Sequence, residues 1–258
     1  AKGILESPWA KPLFQHFQQF FHSIYFGRLV RNTVLINVYN IIFSFPLPIV
    51  FAIFLNEVRN MRVRRVMQTV SYMPHFLSTV VVEGILVNFL SSGDGLVNEL
   101  IRRTGGTPID FIGSTRWFRT IYIASDIWQG FGWNSIIYLA AITSIDQELY
   151  EAATLDGCSR FKEVLYITIP SIAPTIIILL ILKFGSIMSL GFEKVYLLYN
   201  PRTYEVSDII STYVYRAGVT NAQFSFSTAV GLFNSVINFA MLLIVNRISK
   251  TAAEVSLF

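Results

Sequence analysis

Cysteine is almost absent. Cys158 is the only one in 258 residues, so no internal disulfide can form. The three histidines, His16, His22 and His75, have no ligand-like spacing with Cys158 or with carboxylates, which leaves no zinc pattern and no metal site to assign. Charge is scarce too. Only 14% of residues are charged, against roughly a quarter in a typical soluble domain. The net charge of +4 is modest and not clustered enough for a nucleic-acid-binding surface. No G-x-x-x-x-G-K-[ST] loop occurs, so the chain has no phosphate cradle of that type. Neither a paired His–carboxylate motif nor a Ser or Cys nucleophile arrangement occurs, which argues against an intramembrane enzyme. The first residue is Ala, and no basic segment or signal-peptide core follows it.

What fills the chain is apolar. Hydrophobic residues make up 53%, with 22 Phe. Long stretches carry no charge or a single one, and a bilayer core needs about 20 such residues in a helix. Residues 32–56 are charge-free, with Pro46 and Pro48 expected to kink them. Residues 66–93 are interrupted only by Glu83, 121–145 only by Asp126, and 171–192 only by Lys183. Residues 217–246 form the last charge-free run. The expectation is an all-α polytopic membrane bundle with five transmembrane helices in this chain.

Residues 13–27 read differently. Leu13, Phe17, Phe20, Phe21 and Ile24 recur at helical spacing, with Gln15, Gln18, Gln19 and His22 between them. This predicts an amphipathic helix, either lying in a membrane interface or packed on its own protein. The densest basic cluster, Arg59, Arg62, Arg64 and Arg65, belongs in the cytoplasm by the positive-inside rule. Alternation then places 94–118 and 193–216 outside, and 146–170 and the C-terminus inside. Residue 1 falls outside, which predicts a sixth span upstream in the intact protein. The expected division is an extracytoplasmic segment, 1–30, followed by a transmembrane domain, 31–258.

The charged loop 146–170 breaks this apolar pattern. Asp146 can cap a helix starting at Gln147. Leu149, Ala152 and Ala153 share one shallow face, and Gly157 suits a left-handed turn. Ser159 can cap a second short helix with Phe161, Val164 and Leu165 on its apolar side, which Pro170 is expected to stop before the membrane. Two short helices meeting at an elbow outside the bilayer make a docking knob.

At this point the sequence resembles the permease subunits of carbohydrate ABC importers. Their cytoplasmic signature is Glu-Ala-Ala, three residues, Gly, nine residues, Ile, one residue, Leu-Pro. Here Glu151-Ala152-Ala153, Gly157, Ile167 and Ile169-Pro170 keep every spacing, with Ile169 in place of Leu, and Asp156 fits the sugar-importer version. Segments such as SYMPHF, GFEKVYLLYNP and FSFSTAVGLFNSVINF extend the likeness to the polysaccharide and oligosaccharide branch over nearly the whole chain. The resemblance implies a type I importer permease fold of six helices in the bacterial cell membrane. It implies that Glu151, Ala152, Ala153, Asp156, Gly157, Phe161, Ile167 and Pro170 form the coupling elbow for a separate ATPase. The implied partners are a second permease, two ATPase subunits that hold ATP and magnesium, and an extracytoplasmic sugar-binding protein. This chain itself would bind no cofactor. The competing class is an ion-coupled secondary transporter using Glu83, Asp126 and Lys183 as relays, which leaves the elbow unexplained.

Ionisable residues inside spans are costly and face cavities or partners. Glu83, Asp126 and Lys183, with Asn37, Asn88 and Trp128, are therefore the candidate sugar path, and Asn40, Trp133 and Asn134 lie at similar depths. The plainer reading is that these groups pair with one another or with a second subunit. Outer basic loops would suit an acidic oligosaccharide.

Overall fold

A computed structural model describes residues 12–257, and every regular element among them is helical. Residues 1–11 of the expected 1–30 segment lie outside the described range.

The amphipathic stretch forms a helix shorter than 13–27. Helix α1 spans Gln15–Phe21, and a turn at 22–25 separates it from the next helix. Phe20 is fully buried, with its ring 5.5 Å from Phe233 and 6.4 Å from Phe226 of the C-terminal helix. Leu13, Phe14 and Ile24 remain exposed. The segment thus packs on its own protein, with Phe20 at the centre and His16 and Phe21 against Phe226 and Phe233 beside it, and presents Leu13, Phe14 and Ile24 outward.

Helix α2 (Phe26–Tyr39) runs through a π turn, Asn40–Ser44, into α3 (Pro46–Glu57) as one apolar unit of 32 residues. The expected kinks at Pro46 and Pro48 take the form of this π turn. Proline lacks an N–H and its ring crowds the carbonyl four residues back, which for Pro46 is Ile42. The wider turn, closed by Phe45 N–H donating to Asn40 O at 3.1 Å, removes that clash.

The stretch 66–93 is not one straight span. Helix α4 (Met61–Tyr72) tightens into a 3₁₀ turn, Met73–Phe76, and then meets α5 (Thr79–Leu90) at 96°. Pro74 sits at the start of that turn, Leu77 is extended, and Ser78 starts α5 by accepting from Val81 N–H. A helix stop and a helix start therefore lie four residues apart. After α6 (Leu96–Arg103) comes α7 (Thr115–Thr143), 29 residues long and central to the bundle.

Helix α8 (Gln147–Leu155) precedes the elbow and α9 (Arg160–Glu163) follows it. Contrary to expectation, Pro170 does not stop the second helix. A π turn at Val164–Thr168 contains Tyr166, whose carbonyl Pro170 would otherwise crowd, and the chain continues into α10 (Ile169–Phe184). The result is a 25-residue unit, Arg160–Phe184. It ends at Gly185, short of the expected 192, because 185–191 turn back into the core through Ile187, Met188 and Leu190. The outer segment folds into α11 (Phe192–Leu198), α12 (Tyr204–Ser207) and α13 (Ile210–Tyr215), before α14 (Phe224–Ala253) closes the fold.

Among the described residues, three helical units have the length and composition to cross a membrane, or four if the bent α4–α5 pair counts as one. Helix α7 is long enough but more polar, because Asp126, Gln129 and Asn134 interrupt its apolar run. It is nevertheless the hub. Tyr138, Leu139 and Ile142 pack on Ala52 and Leu55 of α3 and Ile172 of α10, while Phe118, Tyr122 and Ile123 pack on Ile36, Val195 and Leu198.

Gly132 of α7 lies against the Ser71 backbone of α4, and a Cβ there would collide with it. Gly132→Val should cost about 1–3 kcal/mol by overpacking, read as a lower unfolding midpoint in detergent. Gly231→Ala, in open space on α14, should leave the midpoint unchanged or raise it slightly.

Candidate functional site

The elbow is built by local rules. Asp146 accepts from Glu148 N–H at 3.0 Å and caps α8. At the other end Gly157 adopts φ +73°, its N–H donating to Thr154 O at 3.1 Å, while Cys158 N–H donates to Ala153 O at 2.9 Å. This pair of bonds is the Schellman C-cap, and the positive φ is why a residue without Cβ stands there. Ser159 has extended backbone geometry at the start of α9, but its side chain makes no cap hydrogen bond. Buried Glu163 instead draws the two arms together, pairing with Arg160 at 3.2 Å and accepting from Thr154 Oγ1 at 3.5 Å. Tyr150 Oη and Thr168 Oγ1 lie 2.9 Å apart and pin α8 to the π turn.

The outer surface of the elbow is what remains. Glu151, Ala152, Asp156 and Gly157 are exposed, as is Pro170, while Ala153 and Ile167 are half-buried. Leu155 is 89% exposed and Phe161 76% exposed. Two large apolar side chains thus flank a shallow Ala face and a carboxylate, leaving an exposed apolar patch with a polar rim.

A second locus lies midway along α7. A cavity of about 340 Å³ is lined by Asn40, Ser44, Asp126, Asn134, Lys183 and Ser186 among others. An adjoining one, about 280 Å³, shares Asn40, Asp126, Lys183 and Ser186 and adds Asn37, Gln129 and Lys194. Asp126 is held by Asn40 Nδ2 at 2.7 Å and faces Lys194 Nζ at 3.6 Å. The same ammonium lies 3.7 Å from Glu83 and 5.0 Å from the Tyr122 ring centroid. Glu83 and Lys194 are both buried.

Of the six path residues picked from sequence, Asp126, Lys183 and Asn37 line these cavities, although Asn37 spends its amide on Thr33 O and Ile187 O. Glu83 lies behind them, paired with Lys194. Asn88 bonds its own helix at Gly84 O, and Trp128 lies on the exposed face of α7, so neither lines these cavities. Lys194 is not among the residues the sequence singles out, since it falls in the stretch 193–216 expected outside the membrane. Its signal was periodicity, since Val195 and Leu198 beside it on α11 are both buried.

A third polar cluster ties the outer segment to α2. Fully buried Asp208 meets Arg216 at 2.7 Å and Arg28 at 3.2 Å, and accepts from Thr212 Oγ1 at 2.9 Å. Burial opposes the Arg216 charge, but the Asp208 contact outweighs it, and Tyr199 assists. The guanidinium is held above its ordinary value. Its face also covers the Tyr204 ring at 4.9 Å.

The family of binding-protein-dependent transport system inner membrane components matches residues 44–252, and the chain belongs to that family. It is therefore a permease component of the ABC importers, which sets aside the ion-coupled alternative. Over 256 residues it is 43% identical to the polygalacturonan/rhamnogalacturonan transport system permease protein YteP of Bacillus subtilis, covering 99% of this chain and 79% of that one. Over the same length it is 42% identical to protein LplB of Bacillus subtilis, covering 99% and 80%. A solved bacterial ABC transporter involved in the import of the acidic polysaccharide alginate matches with a TM-score of 0.92 and 42% identity, covering 96% of this chain and 86% of that chain. A structure of the bacterial alginate ABC transporter in complex with alginate pentasaccharide-bound periplasmic protein matches with the same score and identity, covering 95% and 85%.

Lys194 is the only cation facing Glu83 and Asp126 within ion-pair distance among the described residues. Lys194→Met should lower stability by about 3 kcal/mol, because it strands the buried Glu83 carboxylate without a counter-charge. Adding Glu83→Gln should recover part of that loss in a thermal melt.

Proposed function

We propose that the chain is the permease subunit of an ATP-driven importer that moves an oligosaccharide, delivered by an extracytoplasmic binding protein, across the bacterial cytoplasmic membrane. The observation that carries the reading is the elbow, a capped, hydrogen-bonded knob whose apolar tips point away from their own protein and whose second arm is continuous with an apolar helix of 25 residues. Residues 146–170 are its cytoplasmic coupling loop within a permease domain, 31–258. Residues 1–30 form an extracytoplasmic segment.

The chain pairs with a second permease, and two ATPase subunits dock on the elbows. ATP and magnesium are held there and not here. Glu151 offers the ATPase a carboxylate, Ala152 and Ala153 permit close approach, and Leu155 and Phe161 fill apolar recesses in it. Closure of the ATPase pair moves the elbow, and the joined helix delivers that motion to the cavity at Asp126 and Lys183. A lever of this kind needs a rigid joint, which the Schellman cap and the Glu163 contacts supply. The cavity offers amide, hydroxyl and charged groups for sugar hydroxyls, with Phe131 for a ring face. The substrate class is an acidic oligosaccharide, a reading supported by two matched proteins whose names carry polygalacturonan/rhamnogalacturonan and the acidic polysaccharide alginate.

Gly157→Pro in the assembled transporter should abolish uptake and strip the ATPase subunit during purification, while the permease still inserts. Normal transport by that variant would sink the coupling assignment. A Glu151→Arg exchange should weaken ATPase retention by about tenfold, as loss of one charge-assisted contact does.

A further inference from the structure

The polar cavity is the middle of a longer track. On the same side of α7, a second chamber of about 620 Å³ is lined by Tyr39, Phe43, Arg116, Arg119, Thr120, Ile123, Ala124 and Ile127. The two chambers share Ile127, and both lie between α7 and the α2–α3 unit. The upper chamber sits at the end of α7 remote from the elbow, with Arg116 and Arg119 in its first two turns.

Its chemistry is unlike that of the cavity below. Arg116 and Arg119 line it and no carboxylate does, whereas Asp126 lines the lower one. Spaced i, i+3, the two guanidinium groups project from one face. Arg119 is set from behind by Asn32, whose Oδ1 accepts from Arg119 Nη2 at 3.3 Å. Asn32 Nδ2 is in turn spent on the Glu205 and Asp208 carbonyls, which fixes its orientation. Arg116 is exposed and makes no ion pair or side-chain hydrogen bond among the described residues. The opposite wall presents Tyr39 and Phe43, their ring centroids 6.4 Å apart, and Thr120 adds a hydroxyl.

We propose that this chamber is a subsite for a uronate unit, with Arg116 and Arg119 taking the sugar carboxylate and Tyr39 and Phe43 taking the ring face. The proposal rests on the oligosaccharide-importer reading and adds to it the residues that select an acidic substrate. A planar guanidinium fork matches a carboxylate with two parallel N–H bonds. Pyranose rings present C–H faces that pack on aromatic rings while their hydroxyls stay free for Thr120. The shared wall at Ile127 hands the sugar to the lower cavity, where Asp126 is already committed to Asn40 and Lys194 and Lys183 is the next cation.

The test uses the complete transporter in proteoliposomes, with a galacturonate tetramer and its methyl ester as probes. The ester keeps the shape and removes the charge. Comparing wild type with Arg116→Gln cancels the preference of the binding protein. Arg116→Gln should lower uptake of the acid by about tenfold relative to the ester, and Arg116→Lys should retain more of it. Equal uptake losses for both probes, or none for either, overturn the subsite alone. Uptake of neither probe by wild type removes the acidic-oligosaccharide reading and the subsite with it. The same assays are run in vesicles of phosphatidylcholine with and without phosphatidylglycerol. A defect that appears only with the anionic lipid assigns the chamber to a lipid headgroup and overturns the proposal. A defect confined to the acid probe in both lipids supports it.

Discussion

One ammonium group organises the centre of this fold. Lys194 Nζ lies between Glu83 and Asp126 and above the Tyr122 ring, and so joins α5, α7 and α11. Asn40 brings in the α2–α3 unit through Asp126. Carboxylates at this depth are costly without a counter-charge, so the four elements cannot separate independently. The constraint also sets the character of the cavity. With Asp126 occupied on both oxygens, Lys183 and the neutral amide of Asn134 become the groups available to a passing sugar.

Charge along the α7 track is sorted by position. Arginine lines the chamber remote from the elbow, a mixed set of ions lines the middle, and carboxylates gather on the elbow. An acidic chain would meet cations first and neutralised carboxylates afterwards. The Asp208 cluster steadies the first of these zones, because Asn32 joins its backbone to Arg119.

How much of this could be read from sequence follows from the range of each signal. The elbow was legible because capping and Schellman geometry depend on a few consecutive residues, and Asp146 and Gly157 carry them openly. The helix around Pro170 was misjudged because a π turn is a cooperative adjustment of the turn before the proline, with no residue of its own to announce it. The bend at Leu77 was written in Pro74 and Ser78, but an apolar run on both sides masked it. Lys194 escaped because its meaning lies in partners 111 and 68 positions away (194 − 83 and 194 − 126). Periodicity on α11 shows that it is buried, and only the folded chain shows with what. Trp128 stands two residues from Asp126 in the sequence, yet helical phase turns it to the exposed face of α7, away from the cavities.

The unbroken Arg160–Phe184 helix has a mechanical meaning. Phe161 stands near its exposed end and Lys183 one residue from the other. At 1.5 Å per residue the rod is about 37 Å long, so a tilt of about 10° moves its far end by roughly 6 Å, about one helical turn. Because Pro170 is absorbed by a π turn and Pro174 is carried within α10 without a break, that displacement is carried as rotation of one body. A small rocking at the elbow is therefore enough to reposition an ammonium group by more than the width of a hydrogen bond, and a single rotation can alternately present and withdraw the charge that a sugar meets in mid-membrane.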